Sequence, residues 1–136
     1  LMYVTAAALP HLLRSAEEGP RRVSDLVNVS SVAGRVARLN SGAYNATKWA
    51  VNAFSEALRQ EVTERHVRVA LVEPGAVSTE LAGHNRPEVL EGLRSSLGAI
   101  ERMEAGDIAD AIAYAVTRPR HVAMNELLIR PTQQVR

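Results

Sequence analysis

Two runs rich in β-branched residues, 23–29 and 67–72, stand on either side of a long helical pattern in this sequence. Apolar residues within the pattern recur at helical spacing from about Ser41 or Gly42 to Arg65. Strands that alternate with helices favour a parallel sheet, because each crossover helix packs back onto the sheet that it connects. The sequence therefore predicts an α/β fold in which helices cover both faces of a parallel sheet.

Further elements continue this alternation. A helix opens the chain, and Pro10 within it predicts a bend or a local break, because proline has no amide hydrogen and its ring crowds the preceding turn. Residues 32–40 and 76–86 have no clear period and are expected to be loops. The remaining predicted elements are helices over Leu1–Glu18, Pro87–Glu101 and Ile108–Thr117, the last with Asp107 as its N-cap, and a strand over Glu126–Ile129.

Length and charge limit the classes of function. The 136 residues fit one small domain, and 16 Lys and Arg against 15 Asp and Glu give a net charge of +1. This balance gives no electrostatic reason to expect nucleic acid or a membrane surface as a partner. No apolar run approaches the ~18–20 residues that a membrane-spanning helix needs. The chain begins at Leu1 inside a helical pattern, so we expect a partial sequence without a signal peptide.

The absence of cysteine removes further possibilities. Disulfides, thiolate catalysis and thiolate metal sites are excluded, and a reducing cytoplasm, where we expect the protein to reside, is compatible with this composition. No histidine has a second ligand at a convincing metal-binding spacing, so we expect no metal site. Surface positions are expected for all four: His11, His66, His84 and His121.

Three side chains are predicted to bring proton-transfer chemistry to one edge of the sheet. Ser31 follows the first strand, and ligands bind at the carboxyl ends of strands in an open parallel sheet. Tyr44 and Lys48 are four residues apart near the start of the long helix, so they share one face at the same edge. A free tyrosine is a poor base at neutral pH, but a neighbouring ammonium and a helix N-terminus favour its phenolate. Together with a serine hydroxyl that orients the substrate oxygen, the set suits proton transfer to or from a carbonyl or alcohol oxygen.

These residues resemble the short-chain dehydrogenase/reductase family, in which a serine precedes a Tyr-x-x-x-Lys pair. The resemblance implies that Tyr44 is the general acid/base, that Lys48 also holds the nicotinamide ribose, and that Ser31 positions the substrate. A second block, 73–79, is similar to the family's Pro-Gly-x-Val-x-Thr segment, and Ala-x-Leu-Pro at residues 7–10 is a third agreement. The cofactor-binding residues implied in this way are Tyr44, Lys48, Pro74, Gly75, Val77 and Thr79.

The resemblance covers nearly the whole chain but only part of the family's fold. It implies one partial domain over 1–136, the C-terminal half of a Rossmann-type doubly wound parallel sheet. The Gly-rich phosphate loop, which lets backbone approach a pyrophosphate, has no counterpart in this sequence. NADP is the implied cofactor, with NAD possible because the determinants of that choice are absent from the chain. The tail and residues 54–65 are similar to clavulanic acid dehydrogenase and related NADP-dependent hydroxy-acid dehydrogenases.

The implied function is carbonyl reduction or alcohol oxidation by hydride transfer, with a small-molecule carbonyl or alcohol as substrate and a homodimer or homotetramer at full length. An alternative is a non-catalytic, truncated module that dimerises through the helices over Leu1–Glu18 and Ser41–Arg65. Trp49 fits either a partner surface or the core. Structural roles are the simpler interpretation for Asn28 and Ser30, and core or interface positions are expected for Phe54, Leu58 and Val62.

Overall fold

A computed structural model describes residues 1–135, and the side chains of all of these except residues 82 and 93–97. Within residues 1–135, four α-helices and five strands follow one another along the chain, and the second and third strands are consecutive. The helices are α1 (Met2–Glu18), α2 (Gly42–Val62), α3 (Pro87–Leu97) and α4 (Ala105–Val116). The strands are β1 (Ser24–Val29), β2 (Val67–Pro74), β3 (Val77–Ser78), β4 (Met103–Glu104) and β5 (Glu126–Ile129), and short 3₁₀ turns cover Val32–Gly34, Thr63–Arg65 and Glu80–His84.

The main sheet has the order β1-β2-β5, and both pairings are parallel. In its register, Val29 lies opposite Val72, and Val72 lies opposite Leu127. Strands β3 and β4 form a separate parallel pair beyond the end of β2. The predicted α/β fold with a parallel sheet is confirmed, and the carboxyl ends of β1 and β2 lie side by side.

Successive side chains of the central strand β2 point to opposite faces of the sheet, and helices cover both faces. Val67 and Val69 pack with Leu58 and Val62 of α2 and with Ala16 of α1 in one buried cluster. Arg68, on the opposite face, reaches backbone carbonyls at the end of α4. The sheet is therefore enclosed between α1 and α2 on one side and α4 on the other.

Apolar side chains of α1 and α2 supply most of this core. Leu58 and Val62 are buried and Phe54 packs against them, so the core positions predicted for all three are confirmed. Trp49 is half exposed and lies outside the cluster. All four histidines are exposed, as predicted. Within the chain that the structure describes, no helix is both long and apolar enough to span a bilayer.

Several element boundaries differ from the prediction. Helix α1 runs through Pro10 without a break, and α2 ends at Val62, where a 3₁₀ turn continues to Arg65. Strand β2 continues two residues further than predicted, to Pro74, because β5 pairs with its end. The predicted loops contain 3₁₀ turns and β3, and β4 lies in a segment for which no strand was predicted.

The ends of the two later helices were also wrong in the prediction. Helix α3 ends at Leu97 rather than Glu101. The N-cap of α4 is Glu104, and Asp107 is the third helical residue. The two residues form a reciprocal capping box, in which Asp107 accepts a hydrogen bond of 2.8 Å from the Glu104 amide. The carboxylate of Asp107 therefore stabilises the helix start from inside its first turn.

Candidate active site

Ser31 lies just beyond β1 and begins the 3₁₀ turn Val32–Gly34. Its backbone is extended, and its hydroxyl accepts a hydrogen bond of 3.1 Å from the Ala33 amide. The side chain thus caps the turn, and this bond fixes the position of Oγ relative to the strand. Accepting a hydrogen bond does not use the hydroxyl proton, so Oγ keeps the capacity to donate one to a ligand.

Tyr44 and Lys48 lie on one face of the first two turns of α2. The Lys48 ammonium is 5.8 Å from the centroid of the Tyr44 ring. The same ammonium donates a hydrogen bond of 3.3 Å to the carbonyl of Val29, the last residue of β1. Nearly half of the Tyr44 side chain is exposed, so a ligand can approach it. The structure thus brings Lys48 together with Tyr44 and with the strand end two residues before Ser31, while direct convergence of all three on a substrate stays a prediction.

The segment after β2 lies beside this group. The Ser30 amide donates a hydrogen bond of 2.7 Å to the Val72 carbonyl, which continues the parallel ladder towards Pro74. Gly75 and Ala76 then form a bend, and Val77 begins the short strand β3. Both Ser31 and the Pro74-Gly75 turn therefore follow the carboxyl ends of neighbouring parallel strands, where ligands bind in open α/β sheets.

The C-terminal tail fixes the Gly75 turn from behind. Gln134 Oε1 accepts a hydrogen bond of 2.8 Å from the Ala76 amide, and the Gly75 amide donates to the Ile129 carbonyl at 2.7 Å. A Cβ atom on Gly75 would overlap Gln134 Oε1. The absence of a side chain at Gly75 therefore permits close packing by the protein's own tail. Beyond the turn, Thr79 is exposed.

A polar network centred on the buried carboxylate of Glu73 was not predicted. The side chain of Glu73 has 0% exposure, and it accepts hydrogen bonds of 2.7 Å from Asn52 Nδ2 and from Arg35 Nε. Asn52 in turn accepts a hydrogen bond of 2.6 Å from the Ser30 hydroxyl. Hydrogen bonds to the carboxylates of Glu73 and, to a smaller extent, Glu126 raise the pKa of the Arg35 guanidinium. The two carboxylates therefore stabilise the charged form of Arg35.

One sequence signal points to this network. An acidic residue directly after a buried hydrophobic strand must find a partner, because a buried carboxylate without one is costly. Glu73 directly follows the predicted strand 67–72, so the sequence indicates that its carboxylate needs a partner. It does not indicate which cation or hydrogen-bond donor that partner is. Arg35 is 38 positions away in the chain, and no local pattern links the two.

Metal coordination has no support among residues 1–135 as described, where no group of three or more His, Asp or Glu side chains could hold an ion. Phenol, ammonium, hydroxyl and backbone groups instead make up the candidate site. Such groups hydrogen-bond oxygen atoms and transfer protons.

Residues 1–90 match the family model described as short chain dehydrogenase. The chain is 34% identical over 130 residues to an uncharacterized oxidoreductase of Staphylococcus epidermidis. The aligned region covers 96% of this chain and 50% of that protein. Among solved structures, it resembles serine dehydrogenase from Escherichia coli, with a TM-score of 0.74 and 27% identity over 99% of this chain and 50% of the other. It also resembles the closed form of serine dehydrogenase complexed with NADP+, with a TM-score of 0.82 and 27% identity over 99% of this chain and 52% of the other.

These similarities bear out the predicted fold class. The α/β arrangement with parallel strands matches one half of a larger doubly wound sheet, since the chain spans about half the length of the relatives it matches.

Proposed function

Because this chain belongs to the short-chain dehydrogenase family, we propose that the protein that carries it is an NAD(P)-dependent oxidoreductase that interconverts carbonyl and alcohol groups. One observation carries the proposal: the Lys48 ammonium lies 5.8 Å from the Tyr44 ring and is hydrogen-bonded to the end of β1. A cation placed beside an accessible phenol at a ligand-binding edge suits proton transfer to a substrate oxygen.

In this proposal, each of the three side chains has a separate task. Tyr44 donates a proton to the carbonyl oxygen during reduction and accepts one from the alcohol during oxidation. Lys48 places its positive charge beside the phenol and binds ribose hydroxyls. Ser31 donates a hydrogen bond that orients the substrate oxygen. When bound, the nicotinamide dinucleotide supplies or accepts the hydride.

The described residues fit one end of such a cofactor. Lys48 and the exposed Tyr44 offer a donor and a hydroxyl to a ribose diol, and the segment from Pro74 to Ala76 follows the strand next to β1 at the same edge of the sheet. Val77 and the exposed Thr79, just beyond the bend, would complete the contacts to the nicotinamide amide. No loop in the chain has the closely spaced glycines that hold a pyrophosphate. Residues 1–136 are therefore proposed to act as one partial domain that supplies the catalytic end of the site.

Finer assignments belong to the same proposal. NADP is the proposed cofactor, in line with the likeness to the serine dehydrogenase complexed with NADP+, and NAD is the alternative because the residues that select between the two are not in this chain. The resemblance of the tail and of residues 54–65 to clavulanic acid dehydrogenase and related NADP-dependent hydroxy-acid dehydrogenases favours that subfamily. The absence of cysteine is compatible with a cytoplasmic protein.

Association of copies is a second part of the proposal. Tyr3 and Val4 of α1 are 94% and 73% exposed, and Trp49 of α2 is 50% exposed. Apolar side chains in such positions favour a homodimer or homotetramer, with α1 and α2 contributing to the contact. They equally support the alternative function, a non-catalytic module that acts only through dimerisation. Turnover by the full-length protein distinguishes the two.

The decisive experiment compares two tyrosine variants of the full-length protein that carries this chain. We expect Tyr44→Phe to lower kcat by about 10²–10⁴-fold with a carbonyl substrate and NADPH, because the general acid is lost. Cofactor affinity should fall far less than kcat, because Lys48 still binds the ribose when the Tyr44 hydroxyl is lost. Tyr114→Phe, which removes a half-exposed phenol from α4, serves as the control and should keep its activity. Full turnover by Tyr44→Phe would remove Tyr44 from the proposed role.

A further inference from the structure

A chain of partly buried hydrogen bonds ties the two turns of the candidate site to the same helix. The Ser30 hydroxyl donates to Asn52 Oδ1 at 2.6 Å and contacts the Lys48 carbonyl at 3.3 Å. Asn52 Nδ2 donates to the Gly34 carbonyl at 3.2 Å and to Glu73 Oε1 at 2.7 Å. One carboxamide on α2 thus contacts the strand end before Ser31, the turn after Ser31, and the residue before Pro74.

Arg35 closes the network from the other side. Its guanidinium binds Glu73 Oε2 through Nε at 2.7 Å and through Nη2 at 2.6 Å, and Nη2 also pairs with Glu126 of β5. Arg35 directly follows the 3₁₀ turn that Ser31 caps. The two oxygens of Glu73 therefore hold α2 and the Ser31 turn to the end of β2.

The packing leaves little space around the Asn52 carboxamide, which is the hub of these hydrogen bonds. A Cβ atom on Gly34 would lie 2.7 Å from Asn52 Oδ1, so the turn touches the carboxamide directly. Glu73 is fully buried and Ser30 is 4% exposed. The ion pair joins the buried Glu73 carboxylate to an Arg35 side chain that is 38% exposed, and well-packed apolar residues usually stabilise a protein at least as well as a charged pair whose carboxylate is desolvated. A network of this kind is therefore better explained by the geometry that it imposes than by the stability that it adds.

We propose that Ser30, Asn52, Glu73 and Arg35 form a positioning network that sets Ser31 and the Pro74-Gly75 turn in register with Tyr44 and Lys48. The inference rests on the proposed function for its catalytic consequence. None of the four residues is assigned contact with substrate. Their effect is to fix the distance between the hydroxyl that orients the substrate and the groups that transfer the proton and hold the nicotinamide end.

The test compares two matched serine variants in the full-length protein that carries this chain. Ser30→Ala removes the hydroxyl that meets Asn52. Ser55→Ala removes a similarly buried hydroxyl that accepts a hydrogen bond of 2.9 Å from Asn28, one helical turn further from the site. Ser30→Ala leaves Asn52 Oδ1 without the hydroxyl that donates to it, and Ser55→Ala leaves Asn28 Nδ2 without its acceptor. Each substitution removes one hydrogen bond between α2 and the chain at the end of β1, so their effects on melting temperature should be similar.

We expect kcat for carbonyl reduction to fall by about tenfold or more in Ser30→Ala, because small displacements of positioning groups are costly in rate. The KM for cofactor should stay within about twofold, and Ser55→Ala should keep its kcat within a similar factor. Equal losses of kcat in both variants, or no loss in Ser30→Ala, would overturn the positioning role.

Hydrogen exchange gives a readout that does not depend on activity. In Ser30→Ala, amides in 31–36 and in 74–79 should both exchange faster, whereas Ser55→Ala should leave both segments unchanged. Faster exchange in only one of the two segments would disprove the coupling between the turns. If the wild-type protein reduces no carbonyl compound, the proposed function fails, and the exchange pattern still decides whether the network couples the turns.

Discussion

Arg68 and Asp25 lie opposite each other in the parallel register of β2 and β1, joined by a hydrogen bond of 2.7 Å from Arg68 Nε to Asp25 Oδ1. Both side chains are nearly buried, at 8% and 13% exposure. The remaining guanidinium nitrogens donate to backbone carbonyls at and beyond the end of α4, those of Val116, Arg118, Pro119 and Val122. A cation at the carboxyl end of a helix is favourable, and this one also anchors α4 to the sheet.

Replacement of Arg68 should therefore be strongly destabilising. We expect Arg68→Met to lower the free energy of unfolding by about 3–5 kcal/mol, because Asp25 and several carbonyls lose a buried partner. Arg65→Met is the control, since Arg65 pairs with Glu17 at the surface and should contribute no more than about 1 kcal/mol. Urea unfolding of both variants measures the difference. Equal losses would show that the Arg68 pair contributes no more than a surface pair.

Gly34 should tolerate no side chain. A Cβ atom there would be 2.7 Å from Asn52 Oδ1 and 2.8 Å from Nδ2, and both atoms are held by hydrogen bonds. We expect Gly34→Ala to cost about 1–3 kcal/mol of unfolding free energy through overpacking. Gly42, at the start of α2, has no atom within 4 Å of its added Cβ, so Gly42→Ala should be neutral or slightly stabilising. Thermal unfolding distinguishes the two, and a neutral Gly34→Ala would show that the hub can move.

Gly75 and Gln134 should be energetically coupled. Gly75→Ala places a methyl group against Gln134 Oε1, whereas Gln134→Ala removes that obstacle along with the bond to the Ala76 amide. In a double-mutant cycle, the double variant should be more stable than the sum of the single effects by about 0.5 kcal/mol or more. Strict additivity in urea unfolding would mean that the tail yields to the added methyl group without strain.

Low pH should remove the stabilisation that the ionised Glu56 side chain on the surface of α2 contributes to the fold. A hydrogen bond from Arg59 and a weaker contribution from a second one, from Gln60, lower the pKa of Glu56 from 4.5 to about 2. Because the folded-state pKa is below the unfolded one, the ionised group stabilises the protein above about pH 4.5, and this contribution is lost as the pH falls towards 2.

The Glu56→Gln variant isolates this contribution. The melting temperature of the wild type should exceed that of the variant slightly at pH 6, and the two should converge near pH 2. Because the Glu56 side chain is 47% exposed, 1 M salt should reduce the difference at pH 6. A difference that persists at pH 2 would show that packing of the side chain, and not its charge, is responsible.

The parts of the fold that the sequence could reveal are those with a regular period. The pattern of α2 fixed Tyr44 and Lys48 on one face, and the structure confirms this with a shared helix turn and an ammonium near the ring. The position of Ser31 after a strand likewise followed from the alternation of strands and helices. Periodicity suffices here because both the helix face and the sheet edge are set by local geometry.

Other features depend on contacts that no local pattern encodes. The partners of Glu73, Arg35 and Asn52, come from two separate places in the chain, so only the need for a partner could be anticipated. Strands β3 and β4 have two residues each, too few for an alternation to be visible. At the start of α4, Glu104 and Asp107 are both residues that can cap a helix. The reciprocal bonds of the capping box, which the sequence does not show, make Glu104 the N-cap and Asp107 the third helical residue.

Strand β1 lies at an edge of the three-stranded sheet and pairs with β2 along one side. The backbone groups on its other side point outward, which is the arrangement through which separate polypeptides add strands to one another. Val29, at the end of this strand and 49% exposed, adds apolar surface there. When this half of the fold is produced by itself, self-association through that edge competes with solubility, so biophysical work on it calls for dilute samples and a check of particle size at every concentration used.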